Sequence, residues 1–159
     1  MPRKGSVRPK EVLADPIYNN KLVTKLINKV MRNGKKTVAQ KQVYRAFSLV
    51  EQKTKKNALE VFLSALENIK PELETRPRRI GGAAYQVPMP VKPKRKESLA
   101  IRWLVSEARK RPNTSYHTFI EKLAAEIVEA ARGEGGAVAK RQEVEKIAEA
   151  NRAFAHLRW

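Results

Sequence analysis

Apolar residues recur three and four positions apart in six stretches of the chain, the pattern of helices that bury one face. The predicted helices cover approximately 16–33, 35–53, 58–70, 99–112, 115–132 and 138–152. Asp15, Asn57 and Ser98 precede three of these helices and suit N-caps, and the fifth helix is expected to start at Thr114 or Ser115. Short turn signals separate the helices, except between the third and the fourth. The pattern therefore predicts one mainly α, six-helix domain over 1–159.

The segment 72–91 breaks this pattern and predicts a β-hairpin arm between the third and fourth helices. Its prolines cannot lie inside a helix or in the middle of a sheet, whereas an edge strand tolerates them. The Gly81-Gly82 pair between β-prone flanks is a hairpin-turn signal. From 70 to 96, eight Lys and Arg side chains stand against two Glu. We therefore expect an arm that buries little apolar surface and reaches towards a polyanion.

The charge of the chain points to the same kind of partner. It has 34 Lys and Arg against 16 Asp and Glu, a net charge of +18, and such self-repulsion is relieved by nucleic acid. Residues 1–111 hold 27 basic and 9 acidic side chains, whereas 112–150 hold 5 and 7. The segment 1–13 is basic and aperiodic, so we expect an extended tail there.

Cationic clusters define the candidate contacts. Lys35 and Lys36 begin a helix, where cations oppose the helix dipole, so a partner phosphate explains them and a solvated pair explains them nearly as well. Arginines near the arm tip suit phosphate or base contacts, although edge-strand charge also prevents aggregation. Tyr85 suits stacking on a base or packing across the strands. The candidate nucleic-acid contacts are Arg3, Lys4, Arg8, Lys10, Lys35, Lys36, Arg76, Arg78, Arg79, Lys92, Lys94, Arg95, Lys96, Arg102, Arg109, Lys110 and Arg111.

No catalytic motif is assembled in the sequence. His117 lies far from His156, so we expect it to cap or pack rather than to act as a base. The chain has no cysteine, no bilayer-spanning apolar run and no lipidation signal. We expect no catalytic residue, metal, cofactor, membrane or small-molecule substrate. From the residues alone, two functions stay open: an RNA-binding structural protein and a DNA-bending architectural protein.

Four long segments resemble a known family. They read LVTKLINKVMRNGKK at 22–36, RPRRIGGAAYQVPMPV at 76–91, SLAIRWLVSEARKRP at 98–112 and GGAVAKRQEVEKIAEANRAFAHLRW at 135–159. With these segments the chain resembles bacterial small-subunit ribosomal protein seven over nearly its whole length. The resemblance implies a six-helix domain with a protruding hairpin between the third and fourth helices.

The resemblance also implies a function and a set of partners. It implies direct binding to the 3′ major domain of 16S rRNA, nucleation of the subunit head, and neighbours among head and platform proteins. The expected location is the cytoplasmic ribosome or an organellar one. The arm and the C-terminus are implied to approach the exit-site tRNA and messenger RNA through Arg78, Arg79, Gly81, Gly82, Tyr85, Arg152, His156, Arg158 and Trp159.

Overall fold

The computed structural model describes Gly5 and residues 11–158. In chain order, its elements are α1 (Lys21–Val30), α2 (Lys36–Thr54), α3 (Ala58–Ile69), β1 (Leu73–Ile80), β2 (Ala83–Pro90), α4 (Pro93–Lys110), α5 (Phe119–Ala131), α6 (Gly136–Ala150) and a 3₁₀ helix (Arg152–Leu157). The predicted fold class is confirmed, because this part of the chain contains six α-helices with a hairpin between α3 and α4. The 3₁₀ helix was not predicted. Most of the predicted tail lies outside the described residues.

Helix α5 is the centre of the core. It lies against α2, α3, α4 and α6, and its residues 122–127 are all buried. Phe47 of α2 and Phe62 of α3 are fully buried, with ring centroids 5.4 Å apart. On α2, Val38 is 49% exposed, whereas the neighbouring Ala39 is buried. The packing of six helices around one apolar cluster gives the surface of the domain a rigid support.

The start of α1 differs from the prediction. Asp15 does not cap it. Its Oδ2 accepts the N–H groups of Ile17 and Tyr18, each at 3.1 Å, and so closes a separate turn. Asn19 then has a φ of 45°, which interrupts any helix. Asn20 is the actual N-cap and accepts the Leu22 N–H at 2.7 Å.

Two later helix starts also differ, and in opposite directions. Helix α4 begins at Pro93, six residues before the predicted start at Leu99, because proline is favoured in the first helical turn. Helix α5 begins only after Thr118, whose Oγ1 accepts the Glu121 N–H at 3.3 Å. The Glu121 carboxylate accepts the His117 N–H in return, an arrangement similar to a capping box. The predicted cap Ser98 and the predicted start of α5 at Thr114 or Ser115 were therefore wrong, whereas Asn57 caps α3 as predicted.

The arm is an antiparallel ribbon with Ile80 paired to Ala83 across Gly81 and Gly82. Both glycines have positive φ, at 58° and 90°, which side chains with a Cβ rarely adopt. The prolines fit because both strands of a two-stranded ribbon are edges. The expectation that the arm buries little was wrong at its base, where Val87 is fully buried. The arm also lies against α6 and the 3₁₀ helix.

Candidate nucleic-acid interface

The packing of α1 against α4 places two rows of cations beside each other. On α1, Lys25 and Lys29 are one turn apart, and on α4, Lys94 and Arg102 are two turns apart. Since residues four apart lie on the same face of a helix, each row follows its helix axis. A shallow cleft between the helices is lined by Lys25, Lys29 and Lys94.

Three such clefts join into one surface. Lys29 lines the first and the second, and Arg109 lines the second and the third. No carboxylate is among the described residues that line any of the three. Two carboxylates pair with cations of the lining: Glu97 Oε2 lies 2.5 Å from Lys25 Nζ, and Glu107 Oε1 lies 2.7 Å from Lys110 Nζ. We call this surface the basic groove, and its cations are Lys25, Lys29, Arg32, Lys35, Lys94, Arg102, Arg109, Lys110 and Lys122.

Arg109 is fixed at the middle of the basic groove. Its Nη2 donates to the Val30 carbonyl oxygen at 3.0 Å, at the C-terminal end of α1. Its guanidinium carbon also lies 6.0 Å from the centroid of the Phe119 ring, within reach of a cation–π interaction. Burial, with a smaller contribution from Arg32, lowers the pKa of Arg109. The guanidinium is therefore oriented before any partner binds.

A buried acid organises the cations at the base of the arm. Glu74 is 7% exposed; its Oε1 accepts from Arg76 Nε at 2.9 Å and its Oε2 from Arg95 Nε at 2.6 Å. Burial alone would raise the pKa of Glu74, but the hydrogen bonds from Arg95 and Arg76 outweigh it, so the pKa is lowered. Lys96 pairs with Glu72 beside this cluster, and Lys92 and Lys94 are exposed. The predicted cations of this region are thus brought together.

The tip of the arm lies beyond this cluster. Arg78 is paired in register with Tyr85, and Arg79 with Ala84, next to the glycine turn. The Tyr85 ring lies 5.2 Å from that of Phe154 in the 3₁₀ helix. Tyr85 therefore packs on the C-terminal segment, a contact that the sequence did not predict, and its stacking on a base stays a prediction. This contact brings two predicted contact regions together, since Arg152, His156 and Arg158 are exposed on the same C-terminal segment.

Arg111 occupies a different environment from the other predicted contacts. Its side chain is 14% exposed and pairs with Glu126 and with Glu129. Burial would lower the pKa of Arg111, but the hydrogen bonds to the two carboxylates outweigh it and raise the pKa. Glu126 also accepts the Ala137 N–H at 2.8 Å, at the start of α6. Arg111 therefore connects α4, α5 and α6 inside the protein, and its contact with RNA stays a prediction.

The remaining predicted contacts fall into two groups. Lys35 and Lys36 are exposed at the start of α2, where the structure places no side-chain cap. Arg3, Lys4, Arg8, Lys10 and Trp159 lie outside the described residues.

Sequence reasoning missed four cations of the groove: Lys25, Lys29, Arg32 and Lys122. A signal for the first two existed, because Lys21, Lys25 and Lys29 repeat every four residues opposite the apolar face of α1. Sequence alone did not show that this row faces the cations of α4, since that depends on how the two helices pack.

Other classes of site are not supported by the described part of the chain. It contains no group of three or more side chains suited to holding a metal ion. None of its helices is both long enough and apolar enough to cross a membrane. A cationic groove without a lining carboxylate, beside an arginine-bearing ribbon, is instead the surface of a nucleic-acid-binding protein.

Comparison with known proteins identifies the family. The family model described as ribosomal protein S7p/S5e matches residues 2–152. The "Small ribosomal subunit protein uS7" of Carboxydothermus hydrogenoformans and that of Caldicellulosiruptor saccharolyticus are each 58% identical to the chain, and that of Sulfurihydrogenibium sp. is 53% identical. Each alignment covers 100% of both chains. The chain belongs to the ribosomal protein S7p/S5e family.

Family membership decides between the functions that the residues alone left open. The protein is a ribosomal structural protein of the small subunit and not an enzyme. It associates with rRNA and other ribosomal components, and its bacterial relatives indicate the cytoplasmic ribosome.

Proposed function

We propose that the protein binds the 3′ major domain of 16S rRNA directly and nucleates assembly of the subunit head. The observation that carries this proposal is the basic groove, which runs along α1 and α4 without a lining carboxylate. Phosphate contacts from many separated cations supply affinity that falls with salt. Because the groove joins several helices, it fits the bends of a folded RNA junction better than a straight duplex.

Specificity comes from RNA shape in this proposal. Side chains cannot read bases in the deep major groove of A-form RNA, so backbone and 2′-hydroxyl contacts dominate. Arg76 and Arg95, held by Glu74, add oriented donors at one end of the protein. The Arg109 guanidinium, held by Val30, adds another near the other end of α4. Fixed cations at separate places recognise a fixed arrangement of phosphates.

The second part of the proposal places the arm tip and the C-terminal segment near the exit-site tRNA and the messenger path, among head and platform proteins. The contact between Tyr85 and Phe154 supports it, because it makes one continuous surface of the two segments. Truncation from Ala155 onward tests this part. Affinity for the isolated rRNA domain should stay within a few-fold, whereas exit-site tRNA binding to assembled subunits should change.

Competition binding tests the first part of the proposal. A labelled 3′ major domain transcript is bound at fixed salt and challenged with either unlabelled transcript or duplex DNA of equal phosphate number. The proposal predicts displacement by the transcript and little by the duplex, and nuclease protection on intact 16S rRNA confined to the 3′ major domain. If duplex DNA competed as well as the transcript and protection were scattered over the 16S rRNA, the protein would bind polyanions without specificity and the proposal would fail.

A further inference from the structure

One end of the basic groove forms a cleft that is lined by both cationic and apolar side chains. The C-terminal end of α1 and the starts of α2 and α5 meet there beside the end of α4. The cleft measures about 420 Å³, which is within the range of small-molecule and cofactor sites. Its lining includes Arg32, Lys35, Val38, Arg109, Phe119 and Lys122. Cations and apolar groups therefore share one concave surface.

The charges of this cleft are not compensated within the protein. Among the described residues, none of Arg32, Lys35, Arg109 and Lys122 forms an ion pair with a carboxylate. Lys122 is only 8% exposed, and its Nζ donates to the Arg111 carbonyl oxygen and to Asn113 Oδ1, both neutral acceptors. A buried cation without a counter-ion is costly. An anion in the cleft would lower that cost for Lys122, and the exposed Arg32 and Lys35 and the half-buried Arg109 would attract it.

The rest of the cleft suits a flat, apolar ligand. Val38 is 49% exposed although it is a β-branched apolar residue, and Phe119 is half-buried beside it in the lining. The amide side chains of Gln42 and Asn113 also line the cleft and can hydrogen-bond to a polar edge. An anionic group joined to a flat ring with polar edges is the chemistry of a nucleotide.

We propose that this cleft binds one unpaired nucleotide of the RNA, with its phosphate among Arg32, Lys35 and Arg109 and its base against Val38 and Phe119. A paired base cannot enter, because its faces are stacked and its edge is occupied; proteins that read RNA by sequence use unstacked bases in loops, bulges and ends. The inference rests on the proposed rRNA binding and adds to it a site for a single nucleotide.

Affinity and salt dependence together test the site. Val38→Ser should weaken binding to the 3′ major domain transcript about tenfold, within the range for loss of a base contact, with the slope of log K against log salt unchanged. Lys35→Gln should weaken binding and also reduce that slope by about 0.7–1, because it removes a phosphate contact. Ile147→Ser is the matched control, since Ile147 is also exposed, at 43%, and lies on α6. It should bind like the unsubstituted protein.

Photochemical cross-linking identifies the occupant directly. p-Benzoylphenylalanine is placed at position 38 or, as the control, at position 147, and cross-links to the transcript are mapped by primer extension. The proposal predicts one strong stop at a nucleotide that is unpaired in the transcript, from position 38 only. Cross-links spread along a paired helix would overturn it.

Two further outcomes separate this inference from the proposed function. If Val38→Ser binds normally while loss of the α1 and α4 cations abolishes binding, the cleft is not a nucleotide site but rRNA binding stands. If the unsubstituted protein does not prefer the transcript over duplex DNA, the proposed function itself fails. Adenosine or uridine monophosphate should bind only weakly, because the neighbouring groove contacts are then missing. Tight binding of either would mean a free-nucleotide site instead.

Discussion

Glu74 of β1 joins the arm to α4 through Arg95, whose Nε donates to the Glu74 carboxylate at 2.6 Å. The same carboxylate holds Arg76 on its other oxygen. One buried acid in a protein of net charge +18 thus connects the base of the arm with the first turn of α4, a helix that lines the basic groove. We interpret Glu74 as a positioning residue for the arm.

Removal of this charge should weaken RNA binding. Glu74→Gln makes the protein more positive, so a purely electrostatic account predicts tighter binding. We expect instead about threefold weaker binding to the 3′ major domain transcript, because Arg76 and Arg95 then repel each other and the base of the arm is no longer held in place. The nucleotides that the arm covers should also be less protected from nuclease. Glu72→Gln is the matched control, since Glu72 also pairs across to α4, through Lys96, but is exposed. Tighter binding by both variants would exclude the positioning role.

The same residue predicts a pH dependence of stability. The folded pKa of Glu74 is lowered by Arg95 and Arg76, so the unfolded chain takes up a proton there before the folded protein does. The contribution of Glu74 is therefore complete above the ordinary glutamate pKa and is lost as the pH falls through the lower folded value. Urea unfolding should show the stability difference between the unsubstituted protein and Glu74→Gln shrinking from pH 7 towards about pH 3. A difference that stays constant or grows would contradict this.

Replacement of Arg111 should lower the free energy of unfolding of the protein. Arg111→Met leaves the buried Glu126 without its partner, and loss of one member of a buried pair costs about 3–5 kcal/mol. Denaturant unfolding should show that loss. Lys110→Met is the control, because Lys110 is exposed and its one ion pair within 11–158 is with Glu107, three residues earlier. Its cost should be within about 0.5 kcal/mol. If both variants lost equally little unfolding free energy, the ion pairs of Arg111 would not stabilise the fold.

Arg111 also shows what the sequence could and could not predict. The helical periods and the Gly81-Gly82 turn are local signals, and they gave the six helices and the arm. A run of Arg109, Lys110 and Arg111 at a helix end looks like one surface cluster. The structure divides it, because Arg111 turns towards two carboxylates that lie 15 and 18 residues later. Such pairing depends on tertiary packing and leaves no local pattern.

The helix starts failed for a related reason. Asp15 is a good N-cap residue, and it does accept two backbone N–H groups, but for a separate turn. Its other oxygen accepts the Tyr44 hydroxyl at 2.7 Å, a contact 29 residues away that fixes where that turn lies. Burial and the hydrogen bond to Asp15 raise the pKa of Tyr44 to about 12. A residue suited to an N-cap therefore indicates that the chain turns at that position. Whether a helix follows depends on long-range contacts that the local sequence does not show.

We expect the base of the arm to stabilise the fold and the tip of the arm to have little effect on stability. Replacing Arg79–Ala84 with Asn-Gly keeps the Arg78–Tyr85 pair and removes mostly exposed residues. The thermal midpoint should then change little, since little apolar area is lost. Val87→Ala removes two methyl groups from a fully buried site and should cost about 2 kcal/mol. A large fall in the midpoint for the tip replacement would show that the tip also packs on the core.

The basic groove is the centre of this account, and removal of its charge tests it most directly. The triple variant Lys25→Gln, Lys29→Gln, Arg102→Gln is compared with Lys53→Gln, Lys55→Gln, Lys56→Gln, which removes three exposed charges at the other end of α2. Binding to the 3′ major domain transcript is measured from about 50 to 200 mM salt. The groove variant should bind at least tenfold more weakly, with a salt slope smaller by about 2–3. The control should keep most of its affinity and slope. Equal losses in both variants would show that net charge, and not the groove, determines binding.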